Sequence, residues 1–224
     1  MSRIRTAPRL ILAVVSLVVA ALAVGSVGVA GKPNKTNKSK PAEGLKVSRG
    51  ATTLTVAPAF AAALSAEVTS FDVLEPAEGT PPAIAFPITN GRVVLAKSGN
   101  TITGAAGKIS HVGGLQFSDA ANTFRSRNFR IVLDADPNLS ALVKMNEGAV
   151  SRVELFDLTV DPAKIFIDNV GKNKRRLRIE DIVVKLEGVC AAALNAAFSP
   201  ATPFTDGQLV GTADVNTRIV GKKG

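Results

Sequence analysis

Arg175-Arg176-Leu177-Arg178-Ile179-Glu180-Asp181-Ile182-Val183-Val184-Lys185-Leu186 alternates polar and apolar side chains as far as Glu180, then slips by one residue at Asp181 before the apolar positions resume. Period-two alternation marks a strand with one wet and one buried face, because successive side chains of an extended backbone point to opposite sides. The slip predicts a β-bulge, in which one extra residue is absorbed without turning the strand's apolar set outward. Residues 150–160 repeat the alternation, with Phe156 alone out of phase. Working outward, short β-rich runs bounded by Gly, Pro, Asn and Asp predict strands at residues 51–56, 92–96, 114–117, 129–134, 151–159, 164–167 and 175–186. Two alanine blocks, Ala61-Ala62-Ala63-Leu64 and Ala191-Ala192-Ala193-Leu194, each follow such a run and read as a strand entering a short helix. The fold expected is all-β: an antiparallel β-sandwich with two short Ala-rich helices at its edges or ends.

Upstream, Arg3, Arg5 and Arg9 precede an uncharged apolar run over residues 10–24 and a small-residue stretch over 25–31. That order predicts a signal peptide at residues 1–31, with an uncleaved anchor as the alternative, since a bilayer span takes about 20 residues. Residues 32–41 contain no apolar side chain. A basic disordered linker is therefore expected over 32–44, followed by one domain at 45–220 and a basic tail at 221–224. Either reading of the N-terminus puts the domain outside the cytoplasm, secreted or held at the cell surface.

The formal net charge of +9 belongs to these flanks: seven bases and no acid fall in residues 1–40, two lysines stand at 222 and 223, and residues 41–221 are balanced. Nucleic-acid binding by the domain thereby loses its electrostatic basis. A lysine-rich flank suits a membrane surface or an anionic envelope polymer. Inside the domain the densest basic cluster is Lys172, Lys174, Arg175, Arg176 and Arg178, expected at a hairpin tip where it would contact such a surface. Cys190, the one cysteine, excludes an intramolecular disulfide and sits in an apolar helical setting.

The chain has one histidine, His111, and neither tyrosine nor tryptophan. His111 stands among Gly107, Gly113 and Gly114, which allow positive φ or close backbone approach. Two readings apply: a structural histidine bonded from its ring to a backbone carbonyl, or a ligand-binding segment formed by His111, Gly113 and Gly114. Ser110 is adjacent to His111, which in a strand puts the two on opposite faces, and no Gly-x-Ser-x-Gly elbow is present, so a secreted hydrolase has no specific support. Zinc lacks ligands. Asp134-Ala135-Asp136-Pro137-Asn138 spaces oxygens as a calcium loop does, but Leu139 stands where the loop needs glycine, so a turn at Pro137-Asn138 is expected.

The order of landmarks resembles the HtaA-type haem-uptake domain family over residues 52–215: the strand and helix of residues 54–64, Phe86-Pro87-Ile88-Thr89-Asn90-Gly91, the glycine-flanked His111 segment, and residues 183–198 leading into 204–215 with Gly207 and Gly211. The resemblance implies a secreted or surface-tethered β-sandwich with two small helices, acting in haem capture or relay. It further implies iron held by a tyrosine phenolate and assisted by a histidine at the position of His111. With no tyrosine in the chain, His111 and conceivably Met145 are left as iron ligands. The expected function is an exported, non-catalytic, envelope-associated binding or structural module without a cofactor, with haem binding through His111 as the alternative.

Overall fold

The computed structural model describes residues 44–171 and 174–220. The expected signal peptide or anchor, nearly all of the linker, the basic tail and Lys172 lie outside the described residues. In chain order the elements are β1 (Leu45–Val56), α1 (Pro58–Glu67), β2 (Ser70–Leu74), β3 (Glu78–Thr80), β4 (Ala83–Ser98), β5 (Thr101–His111), β6 (Gly114–Ser118), β7 (Thr123–Val132), β8 (Asn138–Met145), β9 (Ser151–Thr159), β10 (Ile165–Asn169), β11 (Arg175–Leu186), α2 (Gly188–Phe198) and β12 (Leu209–Ile219). The protein is all-β and antiparallel with two short helices.

The strands belong to one sheet in the order β2-β6-β7-β5-β4-β1-β12-β11-β9-β8, and a further β7–β8 ladder closes it. Eight strands, β7, β5, β4, β1, β12, β11, β9 and β8, therefore form a hydrogen-bonded ring, and the two layers of the expected sandwich are opposite walls of one closed sheet. β6 and β2 extend outward from the first half of β7, and β3 and β10 pair at the side with β4 and β11. Closure leaves the core strands without an open edge.

The bulge expected in β11 is present. The ladder with β12 jumps from Ile179↔Val215 to Ile182↔Ala213, and Asp181 takes φ of 54°. Ile179 and Ile182, three apart and thus on opposite faces of a regular strand, are both fully buried because of it. Phe156 has the same explanation, since the β8 register jumps from Leu139↔Phe156 to Ser140↔Glu154. Several bounds shift from the sequence reading, and the run read at 51–56 starts earlier, at Leu45. Residues 92–96 are the middle of the long β4, and 129–134 start earlier, at Thr123, and stop at Val132. Lys164 belongs to a 3-10 turn (Pro162–Lys164), because the Asp161 side chain accepts the Ala163 N–H and curls the chain before β10.

Both alanine blocks are helices. β1 and β11 flank β12 and run parallel to each other, so α1 and α2, which follow them, lie at the same end of the ring. α1 starts with Pro58 in its first turn, and the Glu187 side chain caps α2 by accepting the Val189 N–H. Asn195 bonds Phe204 with both ends of its amide, fixing the return into β12, and Phe204 packs 5.8 Å from Phe60 of α1.

Candidate functional site

His111 ends β5 and points into the ring, 3 % exposed. Its Nδ1 lies 3.2 Å from the Phe129 carbonyl and its Nε2 lies 2.7 Å from Thr52 Oγ1. A carbonyl only accepts, so Nδ1 carries the proton, and the neutral ring receives the Thr52 hydroxyl proton at Nε2. Phe129 stands opposite no residue in any of the three β7 ladders, and the imidazole satisfies its carbonyl in that gap. Burial pushes the ring's pKa down to about 4, outweighing the Phe129 bond that raises it. Gly113 follows with φ of 90°, and a side chain on Gly114 would run into the Ser126 carbonyl of β7. The segment is a joint between β5, β6 and β7.

The structure does not suit these residues to iron. Both nitrogens of His111 are engaged, and the tyrosine of the family pattern has no counterpart. Met145 is the last residue of β8 and packs half-buried against the core. The thiol of Cys190 is buried and its pKa is pushed up to about 12 by desolvation, so it is not the thiolate a metal would need. Among the described residues no cluster of three His, Cys, Asp or Glu side chains could hold a metal.

The basic hairpin forms as expected: β10 and β11 join through residues 170–174, where Val170 N–H bonds the Lys174 carbonyl. Lys174 and Arg175 are exposed. Arg176 lies between Asp168 and Arg218 on the neighbouring strands. Arg178 is committed elsewhere, pairing with Asp168 at 2.6 Å and with Glu180, and stacking 5.1 Å from the Phe166 ring centre. Its charge is largely answered from within the domain.

A more strongly apolar concavity lies elsewhere. A cavity of about 420 Å³ sits beneath α1 and α2 at their end of the ring. Phe60 and Leu64 of α1, Cys190 and Leu194 of α2, and Phe117 and Phe124 from the β6–β7 side form its walls. The exposed residues Ala62, Ser65, Thr69 and Pro81 mark its rim. Leu54, Leu115 and Phe156 line both this cavity and a void of about 30 Å³ on which His111 borders, so the histidine is one layer behind the cavity wall. The sequence signal for this feature is the pair of strand-to-alanine-helix junctions. What the local patterns do not reveal is that both helices cover the same end.

No protein-family model matches the chain, and no curated protein matches it in sequence. Solved structures do match. The C-terminal domain of HtaA from Corynebacterium glutamicum aligns over 79% of this chain and 99% of its own length with a TM-score of 0.52 at 14% identity. The N-terminal domain of the same protein aligns over 78% and 99% with a TM-score of 0.52, also at 14% identity. Twelve strands, a closed ladder and two helices thus give this chain the fold of the HtaA domains.

Proposed function

We propose that the chain is an exported, non-catalytic binding module whose ligand seat is the apolar cavity under α1 and α2. The observation that carries this reading is the cavity itself. A sealed void of this volume would cost about 10 kcal/mol at ~24 cal/mol per Å³, comparable with the entire stability of a domain. Space on that scale in an otherwise close-packed ring is a pocket, and its size falls within the range of roughly 300–1,000 Å³ common to small-molecule sites. Its walls lack charged side chains, so the ligand is predominantly apolar. The HtaA-like fold supports a binding role. The arginine-then-apolar N-terminus supports export. Haem is not the ligand this reading favours, because no imidazole or phenolate lines the cavity and the one sulfur there, Cys190, is held protonated by burial.

Titration with Nile red, an uncharged apolar dye, tests the proposal. A saturable one-to-one fluorescence rise is expected. Ala61→Trp fills the cavity from α1 and is expected to weaken dye binding at least tenfold while the thermal midpoint stays within a few degrees of wild type. Equal dye binding by wild type and Ala61→Trp would remove the cavity from the account.

A further inference from the structure

A second feature, on the outer wall and at the other end of the ring, is independent of the cavity. Lys46 of β1 stands directly opposite Arg92 of β4, and Arg92 stands directly opposite Lys108 of β5. Three like charges in one row across adjacent strands oppose the sheet's own stability. Arg130 of β7 stands opposite Ser110, two residues from Lys108 along β5, and so lies diagonally beside the row on the same face. Lys46, Arg92 and Lys108 are exposed, and none of the four has a carboxylate within ion-pair distance among the described residues. They wall an open trough of about 490 Å³ that also offers Asn90 and Ser110 as neutral donors. Gly91, which has no side chain, contributes only backbone to it. A fifth cation, Arg152, reaches the same wall, bonding Ser140 and the Asn128 carbonyl, and the nearby Arg130 charge, after desolvation, holds its pKa down.

The residues 41–221 are charge-balanced, so this accumulation is matched elsewhere. Burial and then the nearby charges of Asp157, Glu187 and Asp136 raise the carboxyl pKa of Glu154, and burial and then Asp206, Glu187 and Asp136 raise that of Asp157, so these five acids cluster. Glu187 caps α2. The acids therefore gather toward the helical end and the bases away from it.

We infer that the Lys46-Arg92-Lys108-Arg130 trough is a docking site for a phosphate-bearing anionic polymer. Three strands at about 4.8 Å spacing make the row roughly 10 Å long, more than one phosphate requires and suited to consecutive groups of a chain. Arginine forks and lysine ammonium groups are the side chains that bind phosphate oxygens. No aromatic side chain lines the trough, so it grips phosphate without stacking on bases. A bilayer is the poorer fit. Docking there wants apolar side chains beside the cations, yet Val220 is the one apolar residue exposed at the trough, and the exposed Leu209 begins β12 some 36 Å away at about 3.3 Å per residue. Val220 borders the trough beside Lys46, whose carbonyl accepts the Val220 N–H.

The test compares full-length wild type with Arg92→Glu/Lys108→Glu for binding to sodium polyphosphate and to vesicles of anionic phospholipid across a salt series. Wild type is expected to bind polyphosphate. The double variant is expected to bind at least tenfold more weakly, with the slope of log affinity against log salt reduced by about one per cation removed. Its thermal midpoint is expected to stay within a few degrees of wild type, because Lys46 gains an opposite charge across from it while positions 92 and 108 remain a like-charged pair. Lys174→Glu/Arg175→Glu at the hairpin tip, a change of equal charge, is expected to cost less than threefold. Equal polyphosphate binding by wild type and Arg92→Glu/Lys108→Glu, an equal loss from the tip variant, or binding to vesicles alone would each overturn the assignment.

Discussion

Lowering the pH from 6.5 to 4 is expected to remove about 3 kcal/mol of stability through His111 alone. The ring is neutral in the folded protein down to about pH 4, whereas in the unfolded chain it takes up a proton near 6.5. Between those values the unfolded state binds more protons, so protons favour unfolding. The contribution is intact above pH 6.5, falls through the window and is fully lost near pH 4. Glu154 and Asp157 act in the opposite direction, because their raised carboxyl pKa values make the folded state the better proton acceptor in the acid range. Since the chain has one histidine, the slope is assignable by substitution. Urea unfolding of wild type and of Thr52→Val/His111→Leu at intervals from pH 4 to pH 7.5 is the measurement. The double variant removes the ring together with the hydroxyl that bonds it, and its stability is expected to be flatter across the window by about 3 kcal/mol. A wild-type profile superimposable on that of the variant would mean that His111 is not the buried neutral group described above.

Gly113→Val is expected to cost 4 kcal/mol or more, on the order of the whole stability of many domains. Two penalties add. The residue holds φ of 90°, where a β-branched side chain is strained, and a Cβ there would stand 2.5 Å from the Ala77 backbone nitrogen and 2.7 Å from its Cβ. Ala77 is itself buried, so neither side can withdraw. Gly99 separates the two penalties, since it has φ of 59° and nothing within 4 Å of a Cβ. Gly99→Ala is expected to lose only about 1 kcal/mol, the backbone share. Denaturant midpoints of both variants check the pair; similar small losses would show that β5 and β6 yield at their junction.

Strands whose two faces differ were legible from local pattern. Residues 151–159 and 175–186 have the bounds read from their alternation, including the slip at Asp181. β5 is not legible, because from Thr101 to Gly107 a single Ile102 stands among Thr, Gly and Ala with no sustained alternation; the strand conformation there is imposed by pairing with β4. β8 was hidden likewise behind the turn read at Pro137-Asn138. The sites divide along the same line. His111 was legible as a histidine bonded to a carbonyl, since it needed only its glycine neighbours. Lys46, Arg92, Lys108 and Arg130 are scattered singly over 85 residues of sequence, where each reads as an ordinary wet strand position. Only ladder register brings Lys46, Arg92 and Lys108 into one row with Arg130 diagonally beside it. The contiguous run at 172–178 drew notice instead, although Arg178 within it answers Asp168 and Glu180.

The adjacency of β1 and β12 carries a consequence for presentation. The polypeptide enters the ring at Leu45 and leaves it at Ile219 on neighbouring antiparallel strands, while Val56 and Leu209, the far ends of the same strands, lie beside the helices. Anything that holds the domain by its flanking residues therefore grips one pole, and the rim at Ala62, Ser65 and Thr69 faces away from the grip like a cup on a stem. A linkage through both ends would leave the cup open as surely as a linkage through one. Copies strung in series would each keep an unobstructed mouth.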